Sequence, residues 1–197
     1  MDERLVTKDD IRIGFKHEGE GPAVLLVHML NATKESWDPF AGKLHDAGFS
    51  TMAIDLRGHG ESEQTWTTFG KEDFAKMEQD LLAASSFLKK QKVPLGATVG
   101  ASIGANHALR FSHAHGKLKG TVLLSPGLDY RGVTAQEFIG DTPLLMYASE
   151  GDAYSAQSSQ TLQATHGTLH LLEGDAHGTR MLNDKIMDDI VSWLQAQ

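Results

Sequence analysis

The residues best suited to chemistry are Gly100-Ala101-Ser102-Ile103-Gly104. They lie between a short apolar run (96–101) and an amphipathic stretch (103–113), the pattern of a strand that turns abruptly into a helix. Such a turn forces its middle residue into a strained backbone conformation, and small flanking residues let strand and helix approach closely. The turn lifts the Ser102 hydroxyl clear of the strand. It also aims the next N–H, that of Ile103, at the oxygen of any carbonyl the serine attacks, and the start of the helix adds partial positive charge there. A serine hydroxyl needs a base. His177 lies in Glu173-Gly-Asp-Ala-His-Gly-Thr179, a loop after the last β-like run, and loops at the carboxyl ends of parallel strands are where such sheets place their sites. His28 and His59 belong to other loops and His107 to a helix. His113 and His115 are two apart, so they do not share a helix face. A base also needs a carboxylate that fixes its tautomer. Asp152, in the turn Ser149-Glu-Gly-Asp152 one strand before the histidine loop, is the first choice. Asp129, which follows the preceding strand, is the main rival, and Glu150 and Asp175 are further ones.

The elements that must position these groups follow from the alternation of short apolar runs with amphipathic stretches. Strands are predicted at 5–7, 11–15, 23–27, 51–55, 96–101, 120–124, 143–148 and 167–173. Helices are predicted from about 36–38 to 47, and over 72–90, 103–113, 134–139, 155–165 and 180–195. Pro39 suits a first helical turn, and Gly48 a helix stop. Strands alternating with helices imply βαβ units and an α/β fold. The expected form is a mostly parallel eight-stranded sheet with helices on both faces and an antiparallel N-terminal edge.

The chain has 197 residues, which suits one domain over 1–197. Lys+Arg is 18 and Asp+Glu 26, a net charge of −8, which argues against nucleic acid or an anionic membrane surface as the main partner. The absence of cysteine removes disulfides, Cys-ligated metals and a cysteine nucleophile. No run approaches the ~20 apolar residues of a membrane span. The stretch MDERLVTKDD has no apolar core of the signal-peptide kind, which favours a cytoplasmic location.

Taken together, Ser102, Asp152 and His177 stand in the chain order Ser…Asp…His. Leu25-Leu-Val-His28 stands at the end of the third predicted strand, and Asp55-Leu-Arg-Gly-His-Gly-Glu-Ser62 is the loop after the fourth. This combination resembles the α/β-hydrolase superfamily along the whole chain. The resemblance implies an α/β-hydrolase fold and a Ser-His-Asp triad of Ser102, His177 and Asp152. It further implies an oxyanion hole formed by the N–H groups of Leu30 and Ile103, with no cofactor and no metal. Met29 stands where the family usually has glycine, so the oxyanion loop is more restricted here. The 55–62 motif is expected to brace loops beneath the site. Between 124 and 143 there is no room for a cap domain, so the site should be open and walled by loops. Met29, Trp66 and Leu128 are the expected substrate-binding residues, with Leu30 and Tyr154 beside them. The implied activity is hydrolysis of small carboxylic esters of short acyl chain. Thioesters, amides or peptides are alternatives within the class, and a non-catalytic binding protein is the alternative outside it.

Overall fold

Every residue of Ala23–Val27 (β4) is buried, which explains why this strand is a continuous apolar run rather than an alternation. In the computed structural model, which describes residues 5–197, β4 is an interior strand of a seven-stranded sheet of order β11-β10-β7-β6-β4-β5-β3. Its other members are Phe15–Glu18 (β3), Ser50–Ile54 (β5), Leu95–Ala101 (β6), Gly120–Leu124 (β7), Leu144–Ser149 (β10) and Thr168–Leu172 (β11). Five neighbouring pairs are parallel, and β3 pairs antiparallel with β5. The parallel strands bring their carboxyl ends, and so the loops after them, to one edge of the sheet.

Alternate side chains of each strand serve opposite faces. Val24, Leu26, Val122 and Leu124 pack under Asp38–Asp46 (α1) and Asp184–Gln195 (α6), against Phe40, Leu44, Ile190 and Leu194. Leu25, Val27, Met52 and Ile54 face Leu81 and Leu88 of Glu78–Lys90 (α3) and Ile103 and Phe111 of Ile103–His115 (α4). Leu123 and Met146 complete that layer with Leu162 of Ala153–Gln163 (α5).

Several features differ from the sequence reading. The central sheet has seven strands, not eight. The first predicted strand and the start of the second form a separate ribbon, Leu5–Val6 (β1) against Arg12–Ile13 (β2). The chain is diverted at Gly14, whose N–H donates to Ser62 Oγ (2.9 Å) and whose carbonyl accepts from Asp55 N–H (2.8 Å). A Cβ there would stand 2.9 Å from that of Glu61, so only glycine lets the strand pass this loop. The predicted helix over 72–90 is two helices, Lys71–Ala75 (α2) and α3, joined by a tight turn in which Met77 N–H bonds Phe74 O and Asp80 N–H bonds Met77 O. The final helix starts later than 180 because Asn183 caps α6, its side chain accepting from Ile186 N–H at 3.0 Å.

Between β7 and β10 there is no cap. The segment holds one hairpin, Asp129–Tyr130 (β8) with Val133–Thr134 (β9), and a short 3-10 turn, Gln136–Phe138, where a helix was predicted. No helix among the described residues is long and apolar enough to cross a membrane.

Candidate active site

Ser102 joins β6 to α4 with φ 55° and ψ −123°, a region that side chains other than glycine rarely occupy. The two glycines of its motif make this turn sterically possible. A Cβ on Gly100 would lie 2.2 Å from Gly104 O, and one on Gly104 would lie 2.4 Å from the carbonyls of Val27 and His28. The helix therefore starts pressed against β4, with the first N–H groups of α4 beside Ser102 and without helical acceptors.

His177 lies between β11 and α6. Its Nδ1 is 2.5 Å from Asp152 Oδ2. Asp152 stands at the start of α5, after β10. Burial alone would raise its carboxyl, but hydrogen bonds from His177 and Ser155 outweigh that and hold it below the ordinary aspartate value. The two loops are tied together by main-chain and hydroxyl bonds: Glu150 N–H to Leu172 O (2.9 Å), Gly151 N–H to Gly174 O (2.7 Å) and Ser149 Oγ to Ala176 O (2.7 Å). Ser125 Oγ accepts from Gly178 N–H at 2.9 Å and so fixes the far side of the histidine loop.

Ser102 and His177 open onto one cleft of about 410 Å³ at the carboxyl edge of the sheet. Met29, Leu30, Asn31, Tyr130, Arg131 and Arg180 line it with them, and Ile103 follows the serine. Met29 is buried, and the Cβ that Gly178 lacks would meet its sulfur at 2.6 Å, so the methionine fills the space under the histidine loop.

The structure thus gathers Ser102, His177, Asp152, Leu30, Ile103 and Met29. It does not bring Trp66 or Leu128 to the cleft. Trp66 stacks on His59, with centroids 5.6 Å apart and planes 4° from parallel, because Gly58 (φ 81°) folds the loop back onto the Trp66 backbone. Leu128 packs with Ala105, Leu109 and Leu162. Tyr154 is spent on the hairpin: its hydroxyl donates to Asp129 O (2.8 Å) and accepts from Asp129 N–H (3.0 Å). Asp129 is spent there too, its Oδ1 accepting from Gly132 N–H at 2.6 Å.

Tyr130 takes the place expected for these residues. Its ring stands edge-on to His177 at 6.3 Å, and its hydroxyl bonds Ser125 O (3.2 Å) and Ser155 Oγ (2.9 Å). Burial pushes its phenol up to about 12, so it stays protonated. Sequence reasoning missed Asn31, Tyr130, Arg131 and Arg180. The hairpin that carries two of them left no clear signal, because its strands, Asp129–Tyr130 and Val133–Thr134, have two residues each and Arg131-Gly132 is not a favoured two-residue turn.

Beneath the cleft, the 55–62 motif joins the loop after β4 to the loop after β5. Asp55 accepts from Lys34 N–H (2.8 Å), Lys34 Nζ (2.7 Å) and Glu61 N–H (3.0 Å). His28 spans the same gap: Nδ1 lies 2.8 Å from Met29 O, while Nε2 accepts from Leu56 N–H at 2.9 Å. That pairing requires the neutral ring with its proton on Nδ1.

A parallel sheet flanked by helices, with a serine on a strand–helix elbow at its carboxyl edge, defines an α/β-hydrolase. Residues 20–147 match the family described as serine aminopeptidase, S33, and the chain belongs to that family. A non-heme chloroperoxidase of Kitasatospora aureofaciens is 32% identical over 121 residues, which are 60% of this chain and 42% of that protein. An uncharacterized protein of Mycobacterium tuberculosis is 31% identical over 57% of this chain and 31% of its own length. The chain thus spans less than half the length of these relatives. Among solved structures, an esterase from Exiguobacterium antarcticum superposes with a TM-score of 0.79 at 14% identity, over 99% of this chain and 100% of that one. An esterase from Pyrococcus furiosus gives 0.82 at 17% identity, over 100% and 90%. At such identity these superpositions establish the fold alone.

Proposed function

We propose that the chain is a serine hydrolase that cleaves small carboxylic esters through an acyl-enzyme on Ser102. The observation that carries this reading is the single cleft onto which a strained elbow serine and an aspartate-paired histidine both open. Ser102 Oγ attacks the ester carbonyl while His177 Nε2 takes its proton. Asp152 holds the ring and stabilises the imidazolium. The carbonyl oxygen, now negative, is held by backbone N–H groups. The tetrahedral intermediate expels the alcohol, which receives the proton from His177. Water, deprotonated by the same nitrogen, then cleaves the acyl–serine ester and regenerates the hydroxyl.

Ile103 N–H, at the start of α4, is one oxyanion donor. Leu30 N–H is the other. The Met29 carbonyl is engaged by His28 Nδ1 and by Ala32 N–H (3.1 Å). In a planar trans peptide the N–H points opposite to the carbonyl, so the Leu30 N–H is turned away from those partners. Leu30 itself lines the cleft.

Esters are favoured over amino-terminal peptides by the lining. An aminopeptidase must hold a protonated amine, and none of the side chains lining the cleft is acidic. The absence of a cap favours short acyl chains, because loop walls bury few of the methylenes that contribute ~0.8 kcal/mol each when enclosed.

A fluorophosphonate probe tests the reading, followed by p-nitrophenyl esters from acetate to decanoate beside a thioester and an aminoacyl p-nitroanilide. The expected result is labelling of the wild type but not of Ser102→Ala, with turnover highest on short esters. Absent labelling together with absent ester turnover removes the proposal, and preference for the anilide replaces it with a peptidase.

A further inference from the structure

Six arginines occur in the sequence, and five of them lie among the described residues. Arg12 is paired with Glu63 (2.6 Å), Arg57 with Asp9 and Asp80 (2.6 and 2.8 Å), and Arg110 with Glu78. The remaining two, Arg131 and Arg180, have no carboxylate partner among the described residues, and both line the cleft that holds Ser102 and His177. Both are exposed. In a chain of net charge −8, the two guanidinium groups without a carboxylate partner among the described residues line one and the same cleft.

A second observation points the same way. Arg131 and Gly132 are the two central residues of the β8–β9 hairpin, with φ of 58° and 90°. Two positive φ values in a two-residue loop make a type I′ turn, whose first position favours Asn, Asp or Gly. An arginine there costs local strain, and strain kept beside a site is a sign of use. Arg131 lines the cleft, and its Cζ lies 5.8 Å from the centroid of the Phe74 ring.

We propose that Arg131 and Arg180 form a carboxylate-recognition subsite, so that the preferred substrates are esters carrying a second, ionised carboxylate on the acyl side. This rests on the esterase reading above. The guanidinium fork matches a carboxylate in two parallel N–H···O bonds, and a cleft with two such forks and no acidic lining selects anionic over neutral esters. The acyl-enzyme chemistry is unchanged; the arginines only orient the acyl tail.

The test compares mono-p-nitrophenyl glutarate with p-nitrophenyl valerate, which have the same acyl length, as a ratio of kcat/KM. The wild type is expected to favour the glutarate by about tenfold at low salt, the size that two partly solvated charge pairs supply. That ratio should fall as sodium chloride is added and approach one in the Arg131→Asn/Arg180→Gln double variant. Asn suits the left-handed position, so this variant retains the hairpin. A wild-type ratio of one or less, or a ratio that the double variant keeps, overturns the subsite while leaving the esterase reading intact. If no ester is turned over, the esterase reading fails on its own account. Calorimetric titration with glutarate then decides the subsite: saturable binding lost in the double variant supports it, and absence of binding overturns it.

Discussion

Asp152 and Asp129 both follow strands of the parallel sheet, and by sequence position alone either could serve the histidine. Their partners separate them. Asp152 faces His177 Nδ1 at 2.5 Å, whereas Asp129 Oδ1 accepts from the Gly132 N–H of its own hairpin. Asparagine keeps an acceptor oxygen but loses the charge. At position 129 the remaining oxygen can still close the turn, so Asp129→Asn should change kcat by no more than a few fold. On the proposed mechanism, the change at position 152 removes the charge that would stabilise the imidazolium and the carboxylate that would fix its tautomer. There the loss should approach ~10⁴-fold in kcat, as in the best-studied triad. Steady-state kinetics on a short ester, with circular dichroism to confirm folding, measures both. A greater loss at 129 would put the acid after the wrong strand.

At the scale of elements, the site depends on loops that the sequence motif 55–62 holds in place, and the buried ion pairs there are part of that support. Arg57 and Asp80 are almost wholly inaccessible, with side-chain exposures of 1% and 0%, and Asp80 also accepts from Arg57 N–H at 2.8 Å. Removing one partner of a buried pair leaves the other charge uncompensated. Asp80→Ala should therefore cost about 3 kcal/mol of stability, read from urea unfolding, despite the help Asp9 gives from the surface. A change below about 0.5 kcal/mol would mean that water or Asp9 compensates Arg57 fully. The legibility of these elements follows from how each is stabilised. The buried parallel strands announce themselves as apolar runs, and Gly100 and Gly104 mark the elbow because no other residue fits. The β8–β9 hairpin did not announce itself. Each of its strands has two residues, too few for any periodicity, and it is secured by contacts distant in sequence, such as Tyr154 to Asp129 and Asn106 Nδ2 to Val133 O (2.7 Å). Tyr130 and Arg131 reach the cleft only because that hairpin folds over it, so they were missed with it. Trp66 was misplaced for the converse reason: a loop aromatic looked available for substrate, but Gly58 and His59 had already claimed it.

The whole molecule carries an acid sensitivity set by its buried histidines. Burial lowers His28 to about 4 and His107 to about 3, and it lowers His59 as well. His28 is further committed to neutrality by geometry, since Nε2 must accept from Leu56 N–H. In the unfolded chain each of these rings binds a proton below ~6.5. Between that value and its own folded value, a ring is protonated when unfolded and neutral when folded. Protons are therefore taken up on unfolding, and stability falls as pH falls. The contribution is fully present above ~6.5 and is lost progressively as pH drops towards 4. For one ring the loss by about pH 5 is about 2 kcal/mol, since RT ln(1 + 10^1.5) is of that size. Carboxylates held below their ordinary values act in a lower window, whereas Asp80, which burial pushes up to about 6, adds stability rather than losing it as pH falls towards 5 and so only opposes the histidine trend. Glu35, held down at about 2 by hydrogen bonds from Thr33 and Lys34 that outweigh its partial burial, loses its contribution only as pH falls below the ordinary glutamate range. Urea unfolding followed from pH 8 to 5 should thus show a decline that carboxylates cannot produce. His107→Leu should remove about one ring's share of it, because the substitution deletes a group that titrates in the unfolded chain alone over that range. An unchanged slope in His107→Leu would show that His107 takes up its proton in the folded state as readily as in the unfolded one.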